Sequence, residues 1–226
     1  MFLSLEGVPF VALIGDIKSS RSLMMRNEIQ EQLSSILDEI NIRYRKSIAA
    51  KFLITLGDEF QGLLFDGKNI LEIIQDIRMK LYPVELRFGI GIGKISTRID
   101  TEMALGADGP GYYHARNAID ILKDNEKRNK KVVADIRLEM EESNSSQVTL
   151  INTIFELEKS IEQTWTQRQR EIIWDMMKNQ DGQKDVAYRM GITQSSVQKN
   201  LAKGRYYVYA NALKNVQSIL GEIEKC

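Results

Sequence analysis

Residues 51–65, KFLITLGDEFQGLLF, decide how the rest of the chain is read. Two apolar runs, Phe52 to Leu56 and Phe60 to Phe65, meet at Gly57-Asp58-Glu59. Glycine tolerates the positive φ of a tight turn, so the stretch predicts a β-hairpin with two carboxylates at its tip. Upstream, Val8 to Ile14 (VPFVALI) is short, β-branched and aromatic, and it ends in Gly15-Asp16. That pattern predicts a strand buried on both faces, with another carboxylate at its mouth.

Between these strands, the hydroxyl cluster around Lys18 to Ser22 suits helix capping, and Leu23, Ile29, Leu33, Ile36, Leu37 and Ile40 recur at helical spacing as far as Tyr44. Past the hairpin, Asp66-Gly67 is a break. A second helix is expected over Asn69 to Lys80, with Ile70, Ile73, Ile74, Ile77 and Leu81 as its core stripe and Pro83 as its stop. Val84 to Gly93 then reads as a fourth strand whose glycines allow close backbone approach. Strand, helix, strand, strand, helix, strand is the ferredoxin-like order of an α+β fold. Right-handed crossovers put the first and third strands side by side and antiparallel. Asp16 is therefore expected beside Asp58 and Glu59, with the helix start Ser19-Ser20-Arg21 next to them.

Clustered carboxylates repel unless a cation neutralises them, and oxygen ligands favour Mg²⁺, Mn²⁺ or Ca²⁺. Backbone N–H groups at the helix start, with Lys18 or Arg21, suit phosphate oxygens. A metal-bound nucleotide is the expected occupant.

Further on, Gly106 to Gly111 reads as a loop opening a third helix, Gly111 to Lys123. The only histidine, His114, is there either a partly buried helix residue or a phosphate contact together with Arg116. Asp124 to Lys131 reads as a solvated charged turn and Val132 to Ile136 as a fifth strand. The polar run Glu141 to Gln147 marks a boundary. It predicts a first domain over residues 1–140, a linker and connecting helix over 141–163 and a second domain over 164–226. The connecting helix is expected to turn Leu150, Ile151, Ile154, Phe155, Leu157 and Ile161 to a core.

In the second domain Thr166 caps a helix over Gln167 to Lys178. Gln183 to Met190 and Thr193 to Lys203, joined at Gly191-Ile192, have the helix-turn-helix layout. Val186, Ala187, Met190, Ile192, Val197 and Leu201 form its expected core. The cap Thr193 and the outward Gln194, Ser195, Ser196, Gln198, Lys199 and Lys203 suit base edges and phosphates of DNA. From Thr164 onward ten Lys and Arg face six Asp and Glu, a local surplus of four; a plain helical bundle with a solvated face is the alternative.

Composition narrows the classes. The 226 residues carry 31 basic and 31 acidic side chains, so no global field marks a nucleic-acid or membrane protein and any such role is local. The one cysteine, Cys226, excludes an internal disulfide framework and a cysteine metal cage. No apolar run reaches the ~20 residues of a membrane span, and the N-terminus lacks a signal layout, so the expected location is the cytoplasm and no membrane partner is expected.

FVALIGDIKSS (10–20), TLGDEFQG (55–62) and RFGIGIG (87–93) resemble the metal-binding strand, hairpin and fourth strand of class III nucleotidyl cyclases, and GDEF resembles the diguanylate cyclase signature. That resemblance implies a palm domain in which two Mg²⁺ or Mn²⁺ ions, bound with a nucleoside triphosphate, are held by Asp16, the Ile17 carbonyl and Asp58. Lys18, Ser19, Ser20, Arg21, Glu59 and Arg116 are the candidate nucleotide contacts. The family's base-recognising Lys is replaced by Ile54, the diguanylate glycine by Leu56, and Arg116-Asn117 stand in a different order and spacing from the family's transition-state pair. Binding with weak or no turnover is the expectation.

Residues 166–173 with 185–197 resemble sigma-factor region 4. GDIKSS, LGDEFQG, GADGPGYYHAR and this C-terminal module, in that order, resemble the SatD family. The expected function is a cytoplasmic regulator, dimeric as class III cyclases usually are, that couples a metal-nucleotide palm to DNA binding. The alternatives are a two-metal cyclase or nucleotidyltransferase, and a ligand-free dimerisation platform carrying a protein-interaction module.

Overall fold

The computed structural model describes residues 9–18, 26–55, 57–102, 104, 106, 108–128, 134–141 and 146–222. The expected first strand is β1 (Phe10–Ile17), and the helix after it is α1 (Arg26–Arg43). The hairpin is β2 (Ile48–Ile54) and β3 (Glu59–Leu64), with Gly57 at φ 66° in its turn. Next come α2 (Ile70–Leu81) and β4 (Leu86–Gly93). The strand order is β2-β3-β1-β4-β5, with β1 antiparallel to both β3 and β4, and β5 (Ile136–Met140) added parallel to β4. The first four strands make the ferredoxin-like sheet.

One face of the sheet packs on α1 and α2. Leu33, Ile36, Leu37 and Ile40 of α1 and Ile70, Ile73, Ile74, Ile77 and Leu81 of α2 are buried there against Phe60 and Phe88, as their helical spacing predicts. On the other face lies α3 (Pro110–Lys127), whose Tyr112, Ala115 and Ile119 pack with Ala12, Ile14 and Leu63. A Cβ on Gly91 would overlap the backbone of Gly111 and Ala115, so the glycines of β4 let this helix lie directly on the strand.

Several expected bounds shift, the first hairpin strand among them, which begins at Ile48 and not at Phe52. Of the expected fifth strand, Val132 and Val133 lie outside the described residues, Ala134 and Asp135 lead into β5, and the alternating IRLEM makes the strand. The charges of 124–127 are not a turn; they form the last turn of α3, where Glu126 meets the sheet.

Four further helices follow α4 (Ser146–Glu162): α5 (Gln167–Asn179), α6 (Gln183–Met190), α7 (Gln194–Lys203) and α8 (Tyr206–Gly221). A capping box between Thr166 and Gln169 starts α5. Trp165, Ile172, Ile173, Val186, Ala187, Val197, Leu201 and Tyr209 form a separate small core. On α4 the expected core face is off by part of a turn, since Leu150 and Leu157 are exposed whereas Val148, Ile151, Asn152, Phe155, Glu158 and Glu162 are buried. Bonds made by its polar members settle the rotation. Asn152 brackets β5 by accepting from Leu138 N and donating to Leu138 O, and Glu162 takes two arginines.

Helix α8, which the sequence reading leaves out, returns to the sheet layer. Val216 and Leu220 join the core of α1 and α2, and Gln217 accepts from Leu71 N and donates to the carbonyls of Gly67 and Lys68. At Asn69, the N-cap of α2, no side-chain cap bond is made, so Gln217 serves that helix start from a distant part of the chain. Only glycine fits at position 67, because a Cβ there would overlap the Leu220 carbonyl oxygen.

Candidate functional site at the end of the sheet

Antiparallel register brings the sequence-distant charges together. Asp16 stands opposite Glu59 on β3 and opposite Arg87 on β4, and residues directly opposite share a face. Asp58 is tied in through its backbone, since its carbonyl accepts from Ile17 N at 3.1 Å. The face in question is the one covered by α3, and that helix supplies the answering charges. Arg116 pairs with Glu59, Lys123 pairs with Asp16 at 2.7 Å, and Glu126 pairs with Arg87 and, at 3.0 Å, with Lys18. Arg116 and Lys123 are seven residues apart and Glu126 three further, the repeat that keeps them on one stripe of a helix.

The expected convergence of Asp16 with the hairpin acids is thus present in the backbone, but the first cations to meet them are side chains. Asp16 is buried, its Oδ2 accepting from Arg87 Nη1 and its Oδ1 facing Lys123 Nζ. Among the described residues no group of three or more His, Cys, Asp or Glu side chains is placed to hold a metal ion. Asp16, Asp58 and the Ile17 carbonyl are nonetheless a hard, oxygen-only donor set, and Mg²⁺ shared with substrate phosphates needs one or two protein carboxylates. A cation at Asp16 would have to displace Arg87 or Lys123 from its carboxylate.

Of the other predicted contacts, Ser19, Ser20 and Arg21 lie outside the described residues. Lys18 points inward, bonded to Asp135 at 2.6 Å as well as to Glu126. Burial works against its charge, but the two carboxylates outweigh that and hold its ammonium above the ordinary lysine range. His114 is half-buried and held below the usual histidine range by desolvation, while Arg116, on the exposed side, pairs with Glu59.

Lys18 leads into a chain of ion pairs of which the sequence reading named only the first members. Asp135 also pairs with Lys159 of α4 and, at 3.6 Å, with Arg78 of α2. Arg78 in turn bonds Glu162, and Glu162 bonds Arg170 of α5 at 2.6 Å. Beyond it the Arg170 guanidinium lies 5.3–5.6 Å from the rings of Tyr82, Trp165 and Trp174. Desolvation raises the carboxyls of Asp135 and Glu162, yet the surrounding cations win and hold both below the usual range. The alternating charges therefore run from the end of β1 to the start of the C-terminal helices. The signal available in sequence was a single one: Arg87 inside an otherwise apolar strand.

A second exposed polar face belongs to α7. Its N-cap Thr193 accepts from Ser196 N at 3.2 Å, and Gly191, in the left-handed conformation, ends α6 before it. Thr193, Gln194, Ser195, Gln198, Lys199 and Lys203 are exposed and Ser196 is half-buried, while Val197 and Leu201 face inward.

The SatD family model matches residues 10–220. No curated protein matches the chain. Among solved structures the chain is similar to a bacterial light-regulated adenylyl cyclase, at 14% identity over 58% of this chain and 75% of that one, with a TM-score of 0.41. It is similar also to the catalytic core of a rhodopsin-guanylyl cyclase with converted specificity in complex with ATPalphaS, at 14% identity over 50% and 71%, TM-score 0.36. A third is the guanylyl cyclase Cya2, at 12% identity over 56% and 81%, TM-score 0.35. Strand order and register, not these overlaps, define the ferredoxin-like sheet.

Proposed function

The chain belongs to the SatD family, and we propose that its sheet domain binds a nucleoside triphosphate through a divalent cation, as a nucleotidyl cyclase or nucleotidyltransferase palm does. The observation that carries this reading is the register that sets Asp16 opposite Glu59 and ties Ile17 to Asp58, with Arg116 and Lys123 beside them. Asp16, Asp58 and the Ile17 carbonyl would hold the ion. Bound there, it would neutralise phosphate charge and polarise the reacting oxygens. Arg116, 45% exposed, is the side chain free enough to exchange Glu59 for a phosphate oxygen. The resemblance of GDIKSS and LGDEFQG to the cyclase motifs supports the same assignment.

Titration of ATP and GTP with Mg²⁺ or Mn²⁺, followed by product analysis, tests it. Metal-dependent nucleotide binding is expected, weakened tenfold or more by Asp58→Asn, and a cyclic or transferred nucleotide lost in that variant would identify the enzyme. Equal binding by both proteins removes the site.

The exposed face of α7 favours a second activity. We infer that α6 and α7 act as a helix-turn-helix in which Gln194 and Ser196 meet base edges and Lys199 and Lys203 meet phosphates, with two copies of the chain binding half-sites one helical turn apart. Thr193, Ser195 and Gln198 complete the contact face. In anisotropy measurements across a salt series, Lys199→Ala is expected to weaken binding to all sequences alike and to lower the salt slope by roughly one unit. Absence of salt-dependent DNA binding at low ionic strength would leave this module as a protein-interaction surface. Regulation by nucleotide would then run through the ion-pair chain that joins the two parts.

A further inference from the structure

Asp16 carries two cations that differ in how firmly they are held. Arg87, its side chain 11% exposed, is locked from both ends, because the nitrogens not facing Asp16 bond Glu126. Lys123 is 35% exposed and reaches Asp16 from α3 with a flexible stem. Its ammonium sits on Oδ1, the oxygen that Arg87 leaves open, at 2.7 Å. A divalent ion bound to that same oxygen would lie against a like charge, and like charges at contact exclude one another.

We propose that Lys123 is a built-in competitor for the cation position on Asp16. With its ammonium on Oδ1 and Arg87 on Oδ2, both oxygens of the carboxylate are occupied and closed to a free divalent ion. A metal enters only as Lys123 withdraws, and the attraction of the released ammonium for phosphate makes withdrawal easiest when a nucleotide arrives with the ion. Free Mn²⁺ should therefore bind weakly and the metal–nucleotide pair much better. This inference rests on the reading of Asp16 as a metal ligand.

The test is Mn²⁺ titration without nucleotide, followed by electron paramagnetic resonance of the free ion, on the full chain and on Lys123→Gln, Lys123→Arg and Lys123→Gln/Asp16→Asn, with thermal unfolding of each as a control. Expected are at least a tenfold tightening in Lys123→Gln, none in Lys123→Arg, whose charge stays in place, and loss of the gain in the double variant. Equal binding by the parent and a folded Lys123→Gln overturns the competition while leaving Asp16 as a ligand. A gain that survives Asp16→Asn places the ion elsewhere and also overturns it. No Mn²⁺ binding by any folded variant, with or without ATP, removes Asp16 as a ligand and the inference with it. If Lys123→Gln does not fold, Lys123→Ala takes its place: tightening of tenfold or more supports the proposal, and unchanged or weaker binding overturns it.

Discussion

Glu158→Gln is expected to raise the stability of the fold at pH 8 by on the order of 3–5 kcal/mol relative to the parent, and to change it little near pH 4. Glu158 is 4% exposed on the inner face of α4, and its Oε1 has no hydrogen-bond partner. Arg78, Glu162 and Tyr209 stand around it where α2, α4 and α8 meet. Desolvation pushes its carboxyl up to about 8, Arg78 opposing and the Glu162 charge adding to the rise. The folded chain thus keeps this proton up to about pH 8, whereas the unfolded chain releases it near the ordinary glutamate value of 4.5. Across that interval the folded state binds more protons, so stability falls as pH rises, and the loss is complete above pH 8. Glutamine fills the same space and has no proton to lose. Urea unfolding of both proteins between pH 4 and 9 checks this: a pH-dependent difference that closes toward pH 4 is expected, and parallel curves would refute it.

Arg78→Met is expected to cost up to about 3–5 kcal/mol, because it takes from Glu162 and Asp135 a buried cation that their other partners, Arg170 for the first and Lys18 and Lys159 for the second, replace only in part. Here the partners are Glu162, 4% exposed, and Asp135, 6% exposed, which line one cavity with Arg78. Burial opposes the Arg78 charge, but Glu162 and Asp135 outweigh it and keep the guanidinium protonated throughout the accessible range. Adding Glu162→Gln to Arg78→Met should restore part of the loss, since one stranded charge disappears with its partner. Chemical denaturation of the two single variants and the double one measures the coupling, and strict additivity would mean that Arg78 is not held by Glu162.

The ferredoxin-like order was legible because it depends on local signals. The hairpin turn, the β-branched strands and the isoleucine stripe of α2 each state their own structure, and strand order follows from handedness. Convergence of Asp16 with the hairpin acids was likewise a matter of topology. What answers those acids was not legible, because Lys18 and Asp135 are 117 residues apart and nothing local couples them. Helix α8 escaped for a different reason. Its apolar stripe, Tyr209, Leu213, Val216 and Leu220, has helical spacing, but its N-cap is Arg205 at φ 55° with no side-chain cap bond, so the usual start signal is missing. On α4 the sequence misled, because the stripe that faces the core holds Asn152, Glu158 and Glu162 and the neighbouring stripe holds leucines.

Gln217, which holds the start of α2 from 146 to 150 residues away, bears on how the molecule opens. A helix that begins without a side-chain cap frays more readily, so docking of α8 adds to the order that core packing gives the first turn of α2. Detachment of α8 would at once uncover Val216 and Leu220 and release the amide of Leu71, which makes the two segments one cooperative opening unit despite their distance along the chain. Such a closure, made across most of the sequence, belongs among the last contacts to form in folding, after the local hairpin and helices are in place.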